Sequence, residues 1–201
     1  MRRTIKSLAE RRQEEMIVFV KGLLGDRYIT IRLGNEIEVK EKFNTVDLKC
    51  EVEFSSGKSL VLEGTGSGPV DAMFHAMKIE YSSCYSIKDL ILLDFNIRGS
   101  LEDDGQPNSK VEAVLVVENN TRHPLAFRSV SRSVLRSSLE VCLKSMEYFI
   151  NCEEAIKITY ACIKDAKKRN RGDIEDQNVL NLQKILKHVQ VSELMKSLKN
   201  S

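Results

Sequence analysis

Twice along this chain, runs of alternating apolar and polar residues are followed by a stretch with helical periodicity. In the first series Tyr28-Ile29-Thr30-Ile31-Arg32-Leu33 alternates, Gly34-Asn35 turns, and Ile37-Glu38-Val39-Lys40 alternates again. Thr45 to Phe54 reads as a strand with one apolar face, Ser55-Ser56-Gly57-Lys58 as a hairpin turn, and Ser59-Leu60-Val61-Leu62-Glu63 as the next strand. The period then lengthens, and Val70, Phe74 and Met77 share one face of a helix over 69–80. The second series has strands at Leu90 to Ile97, Lys110 to Glu118 and Pro124 to Phe127. Its first strand is so apolar at the start that burial on both faces is expected there. A helix is expected from Val130-Ser131 onward, with Val134, Leu135, Leu139, Cys142, Leu143, Met146 and Phe149 as its apolar positions.

This order predicts an α+β fold built from two pseudo-repeated strand-strand-strand-helix units, an antiparallel sheet with helices on one face. The units span 27–80 and 90–149 within a domain of 27–151. An N-terminal helix over 3–24 precedes it in the segment 1–26, with Leu8, Ile17, Val20 and Leu24 near helical spacing and Gly25-Asp26 as its stop. The segment 152–201 reads as a helical extension, with helices at about 153–169 and 174–198 separated by Lys167 to Asp173. Val179, Leu182, Leu186 and Val189 form a narrow stripe, suited first to packing on its own domain and second to a dimer seam.

Between the first series of strands and its helix lies Gly64-Thr65-Gly66-Ser67-Gly68-Pro69-Val70-Asp71-Ala72. The glycines free the backbone for a sharp turn. Pro69 suits the first helical position, and Asp71 falls in the first turn, where the helix dipole favours a carboxylate. Spacing alone makes this a structural strand-to-helix turn, with an anion-accepting helix end as the sharper alternative. No Gly-Lys-Ser/Thr follows, and Pro69 occupies the third glycine position of the dinucleotide fingerprint, so nucleotide binding is not indicated.

Composition excludes several other classes. Charged residues make up 30% of the 201, and the formal net charge is +2, so no global excess of basic residues points to nucleic acid. No apolar run reaches membrane-span length, and no export signal is visible at the start, so a cytoplasmic protein is expected. Cys50, Cys84, Cys142, Cys152 and Cys162 are odd in number and lack a Cys-x-x-Cys pair. They read as reduced thiols, with Cys142, Cys152 and Cys162 as core filler. His75, His123 and His188 are scattered, His75 away from the apolar stripe, and no zinc spacing or Ser/His/Asp set is apparent. No catalytic residue, metal ligand or cofactor is therefore expected.

Gly66-Ser67-Gly68-Pro69-Val70-Asp71-Ala72 resembles the segment that opens the first helix in the C-terminal regulatory domain of α-isopropylmalate synthases and the related citramalate synthases. Leu93-Asp94-Phe95 matches that family's leucine-aspartate-aromatic strand. Val130-Ser131 with Ser137-Ser138 matches the start of its second helix, and the likeness covers about residues 27–151. The resemblance implies a stand-alone amino-acid-sensing homodimerisation module. A branched-chain amino acid, leucine or isoleucine, would bind at the dimer interface for feedback control of a separately encoded synthase subunit. Carried over by position, the ligand residues are Gly68, Val70, Asp71 and Ala72 of the glycine turn, Leu92, Phe95 and Gly99 of the strand, and Ser131 and Ser133 of the second helix start. Val70, Leu92 and Phe95 suit an aliphatic side chain, the helix N–H groups a carboxylate, and Asp71 or Asp94 an ammonium, although Asp71 has helix capping as its plainer role.

The chain departs from the family pattern in three places. Ser133 stands where an acidic residue is common, and Asp103-Asp104-Gly105 replaces a glycine-threonine-aspartate-alanine run. Arg128, Arg132 and Arg136 recur every four residues, a stripe whose plain reading is a solvated face. The family's metal-binding catalytic barrel, with its His-x-His pair, has no counterpart here, so the chain is not expected to be an enzyme on its own. The competing function is a scaffold or assembly protein that kept the fold, lost the pocket and binds a protein partner through its terminal helices.

Overall fold

The computed structural model describes residues 8–85, 90–100, 110–118, 124–187, 189, 194 and 198. The expectations that fall on residues 3–7, on the loop around Asp103-Asp104-Gly105, on Asn119-Asn120, on His123 and His188, and on most of 188–198 lie outside them.

Helix α1 (Leu8–Leu24) ends in a single 3-10 turn, Gly25–Arg27, and the chain enters strands β1 (Ile31–Lys42), β2 (Thr45–Phe54) and β3 (Ser59–Gly66). These form an antiparallel sheet in the order β1-β2-β3, and helix α2 (Pro69–Tyr81) follows. The expected turn at Gly34-Asn35 is absent; β1 is one strand with an irregularity. Leu33 lies opposite Val52 and Ile37 opposite Cys50, so β1 spends more residues than β2 over that span. The Arg136 guanidinium holds the bulge by donating to the Gly34 carbonyl at 2.7 Å and the Leu33 carbonyl at 3.3 Å. Carbonyls turned out of the ladder thus keep hydrogen-bond partners. Along β2, Val46, Leu48, Cys50 and Val52 are buried beneath α2, while the opposite face carries the ion pairs Lys49–Glu63 and Lys42–Asp47.

The second sheet has the order β4-β5-β6, again antiparallel, from β4 (Ile91–Ser100), β5 (Lys110–Glu118) and β6 (Leu125–Ser131). Val130-Ser131 closes β6 rather than opening a helix; α3 (Val134–Lys168) begins after the N-cap Ser133. It runs unbroken for 35 residues, so the expected break after Asn151 does not exist. Asn151 is a mediocre helix former whose side chain is fully used: its amide donates to the carbonyls of Glu147 and Ile29, both at 2.7 Å, and its oxygen accepts the Ile29 N–H at 2.8 Å. A helical extension thus begins inside an element that the second unit already owns. Strand β4 also departs from expectation. It is an edge strand, and Ile91, Leu93 and Ile97 are exposed rather than buried on both faces.

The units meet on α3, which packs against α2 and along β1. Glu147 and Asn151, one turn apart, grip the approach to β1. Glu147 accepts the Tyr28 hydroxyl at 3.1 Å and the Ile31 N–H at 3.0 Å. Helix α1 buries Met16, Val20 and Leu24, and α4 (Gly172–Leu186) buries Leu182 and Ile185 with Val189 beyond it. The stripe on α4 therefore packs on its own chain, with Ile185 deeper than Leu186. Lys184 of α4 lies 4.0 Å from the centre of the Phe19 ring, so the terminal helices also touch. Among the described residues no helix is long and apolar enough to cross a membrane.

Candidate functional site

The expected ligand residues fall on two helix starts and one edge strand. At the first helix start, glycine is required by close approach. A Cβ on Gly64 would stand 2.3 Å from the Ala72 carbonyl oxygen, and one on Gly66 would stand 2.4 Å from the Ala72 nitrogen. No side chain fits there without moving the helix. Gly68 is different: it is the extended N-cap of α2, and a Cβ there would meet nothing within 4 Å. Pro69 takes the first helical position, as expected. The Asp71 carboxylate accepts the Ser67 N–H at 2.9 Å and its hydroxyl at 3.1 Å, closing the turn from inside the helix. Val70 and Ala72 point into the core; Ala72 is fully buried. His75 is exposed and its Nδ1 lies 3.1 Å from the Thr65 carbonyl.

The second helix start uses serines at the corresponding places. Ser131 lies opposite Val111 on the middle strand as Gly66 lies opposite Val46. The Ser131 hydroxyl donates to the Ser133 carbonyl at 2.7 Å, accepts the Ser133 N–H at 3.1 Å, and meets the Ser137 hydroxyl at 3.0 Å. The Ser133 hydroxyl accepts the Arg136 N–H at 3.3 Å, a side-chain N-cap that Gly68 cannot supply.

On β4, Leu92 and Phe95 are half-buried and Gly99 is exposed. Register joins two of the groups: Gly99, Val111 and Ser131 form one row across the second sheet. Leu92 and Phe95 lie opposite Val117 and Leu115, hence on the face that α3 covers. The glycine turn belongs to the other sheet, so one chain does not close all nine residues around a single cavity. Asp94 is engaged by the Asn96 amide at 2.7 Å. The arginine stripe is not one face: Arg128 pairs with Glu112 from β6, Arg132 is exposed between elements, and Arg136 is the clasp on the β1 bulge.

Burial pushes the Cys50 thiol up to about 11 and those of Cys142 and Cys152 up to about 12. These three are inert core residues near neutrality. Cys162 departs from the core-filler expectation, being exposed on α3 like Cys84 beyond α2. Among the described residues no group of three or more His, Cys, Asp or Glu side chains is placed to hold a metal ion.

Sequence reasoning missed a cavity of about 510 Å³ beside α1, with Ile17, Phe127 and Tyr148 among its apolar lining and Gln13, Arg98 and Lys144 among its polar lining. Its residues come from α1, Tyr28 ahead of β1, β4, β5, β6 and α3, far apart in the chain, and no local sequence pattern joins them. None of the nine expected ligand residues lines it.

Comparison with curated proteins returns no match. The family described as the LeuA allosteric (dimerisation) domain matches residues 20–150, from the end of α1 through both units and into α3. The match spans the repeated sheets, the glycine turn and the serine turn together, and the chain belongs to the LeuA allosteric (dimerisation) domain family.

Proposed function

We propose that this regulatory dimerisation module forms a homodimer that binds a branched-chain amino acid, leucine or isoleucine, at the interface, and so relays feedback to a synthase catalytic subunit. The carrying observation is the uncovered part of the second sheet. Leu92, Phe95 and Ile97 continue the face formed by the buried Val117, Leu115 and Ala113, yet Ile97 is 44% exposed because α3 lies mainly on β5 and β6 of this sheet. An apolar face that ends in the open, beside an edge strand with an unpaired row of backbone groups, fits a second copy of the chain. In such a dimer Gly68 and Asp71 of one copy, with Leu92, Phe95, Gly99, Ser131 and Ser133, would enclose the ligand, and Val70 and Ala72 would hold the helix start from beneath. A ligand seated there favours one packing of the pair by its differential affinity, which is all that feedback requires.

Light scattering on the eluting protein gives the mass, and a dimer is expected. Phe95→Asp puts a charge into the proposed seam and is expected to yield folded monomer; a dimer unaffected by it places the interface elsewhere. Calorimetric titration with leucine, isoleucine and valine is expected to give saturable heat with the dimer.

A second reading, a scaffold that kept the fold without the pocket, draws on the same helix starts. The polar groups of Asp71, Ser131 and Ser133 already have partners within the chain. A stable dimer that takes up none of the three amino acids and shows no rise in melting temperature with them is the outcome that selects this reading.

A further inference from the structure

We propose that the cavity between α1, β6 and α3 binds a small aliphatic carboxylate, at a place separate from the expected amino-acid site. Its volume of about 510 Å³ lies within the range of small-molecule sites, which pair an apolar lining with a few convergent polar groups. Ile17 of α1 faces Phe127 of β6 and Tyr148 of α3 across it, enough apolar surface for a short hydrocarbon body.

One residue of the lining carries a buried polar group without a partner. The Tyr148 hydroxyl is buried and makes no hydrogen bond. Gln13 of α1, only 6% exposed, adds a polar side chain to the lining. Leaving a group such as the Tyr148 hydroxyl unpaired costs free energy, part of which a bound molecule that reaches it would recover.

Charge selects the head group. The carboxylates of the lining are already engaged. Glu112 pairs with Arg128 at 3.2 Å, Glu147 takes the Tyr28 hydroxyl and the Ile31 N–H, and Glu14 also has a partner within the chain. The cations are not matched in the same way. Lys144 donates to the Arg128 carbonyl at 2.9 Å, and Lys21 lies over the Tyr28 ring at 4.8 Å. Arg98 has no ion-pair partner among the described residues. A ligand ammonium would have to displace an existing carboxylate contact, whereas a carboxylate meets the Arg98 guanidinium and the Lys144 ammonium, neither in an ion pair with a described residue. Arg98 lies opposite Glu112 in the β4–β5 register, on the face of the sheet away from Phe95 and Leu92. The two sites can therefore be probed independently.

The test titrates the full chain at low salt with three probes of one body and different heads: hexanoate, hexylammonium and hexan-1-ol. Hexanoate is expected to bind, hexan-1-ol more weakly, and hexylammonium not to bind. Arg98→Gln is expected to weaken hexanoate by about tenfold or more, the value of one lost charge-assisted contact. Lys144→Gln, an exposed position outside the core, is expected to weaken it less, and neither variant to alter the response to leucine. Absence of hexanoate binding, hexylammonium binding as tightly as hexanoate, or an affinity for hexanoate that both variants leave unchanged would each overturn the proposal.

Discussion

The two helix starts solve one packing problem in opposite ways. Each unit ends its third strand with a small residue at every second position: Gly64, Gly66 and Gly68 in the first, Ser129, Ser131 and Ser133 in the second. Both sets hold the same register against the middle strand, Gly64 opposite Leu48 and Ser129 opposite Ala113. With glycine, backbone packs on backbone, and α2 sits mainly on the edge strand β3. With serine, the added atoms become hydrogen-bonding groups: the Ser129 hydroxyl donates to Glu140 at 3.0 Å and Ser131 and Ser133 serve the first turn. Helix α3 then lies across both β5 and β6. The contrast continues into the first turn of each helix. Asp71 folds back on Ser67, whereas Arg136, at the same point of its helix, reaches out to the β1 bulge and ties the second unit to the first. Glycine makes a tight start; serine makes a connected one.

The largest effect should come from removing the tightness. Gly64→Ala or Gly66→Ala places a Cβ under 2.5 Å from the backbone of Ala72, which cannot rotate away. A loss of about 3 kcal/mol is expected, the upper part of the usual overpacking range. Ser131→Ala removes hydroxyl contacts without crowding and should lose about 1 kcal/mol. Urea midpoints at constant slope measure both; equal losses would mean that the two starts are not packed differently.

Next comes the connection between units. Asn151→Leu keeps the bulk on α3 but strips the partners from both the N–H and the carbonyl of Ile29. About 2 kcal/mol should be lost, since half-buried backbone groups are left unmet. Amide exchange reads the location directly. Ile29 and Ile31 should open faster while the β2 amides stay protected, and uniform loss across the first sheet would show that the joint is not local.

Much of this architecture was legible in the chain. The switch from period two to helical period, repeated once, gave both units and the antiparallel order, because Val46-Asp47-Leu48-Lys49-Cys50 and its counterpart on β5 alternate cleanly. What was not legible depended on distant partners. Gly34-Asn35 carries the composition of a turn, and only Arg136, far along the chain, makes it a bulge. Asn151 has the propensity of a helix stop, and only the backbone of Ile29 makes it helix interior. The apolar start of β4 looked buried because periodicity cannot distinguish a strand covered by its own chain from one left open to another. The family likeness named nine ligand residues, yet local sequence could not reveal that Val70 and Ala72 are under the helix or that the hydroxyls of Ser131 and Ser133 are spent on capping.

The smallest effects compare the caps themselves. Ser133→Ala deletes the N-cap of α3 and should cost about 1 kcal/mol. Gly68→Ser is the reverse change at the matching position of α2. The backbone there is extended, with φ −162°, a conformation open to any residue, and a Cβ meets nothing within 4 Å in the single chain. A serine hydroxyl should therefore add a few tenths of a kcal/mol by capping α2, about the measured difference between glycine and serine at this position of a helix. Yet the chain keeps glycine where serine would cap better, in contrast to its second unit. If the carboxylate of an amino acid packs on this backbone in the dimer, the serine side chain occupies the ligand's place. Gly68→Ser should then melt slightly higher without ligand and take up leucine more weakly than the parent protein. A variant that gains stability and binds leucine as before would remove Gly68 from the site and leave the glycine explained by helix packing at Gly64 and Gly66 alone.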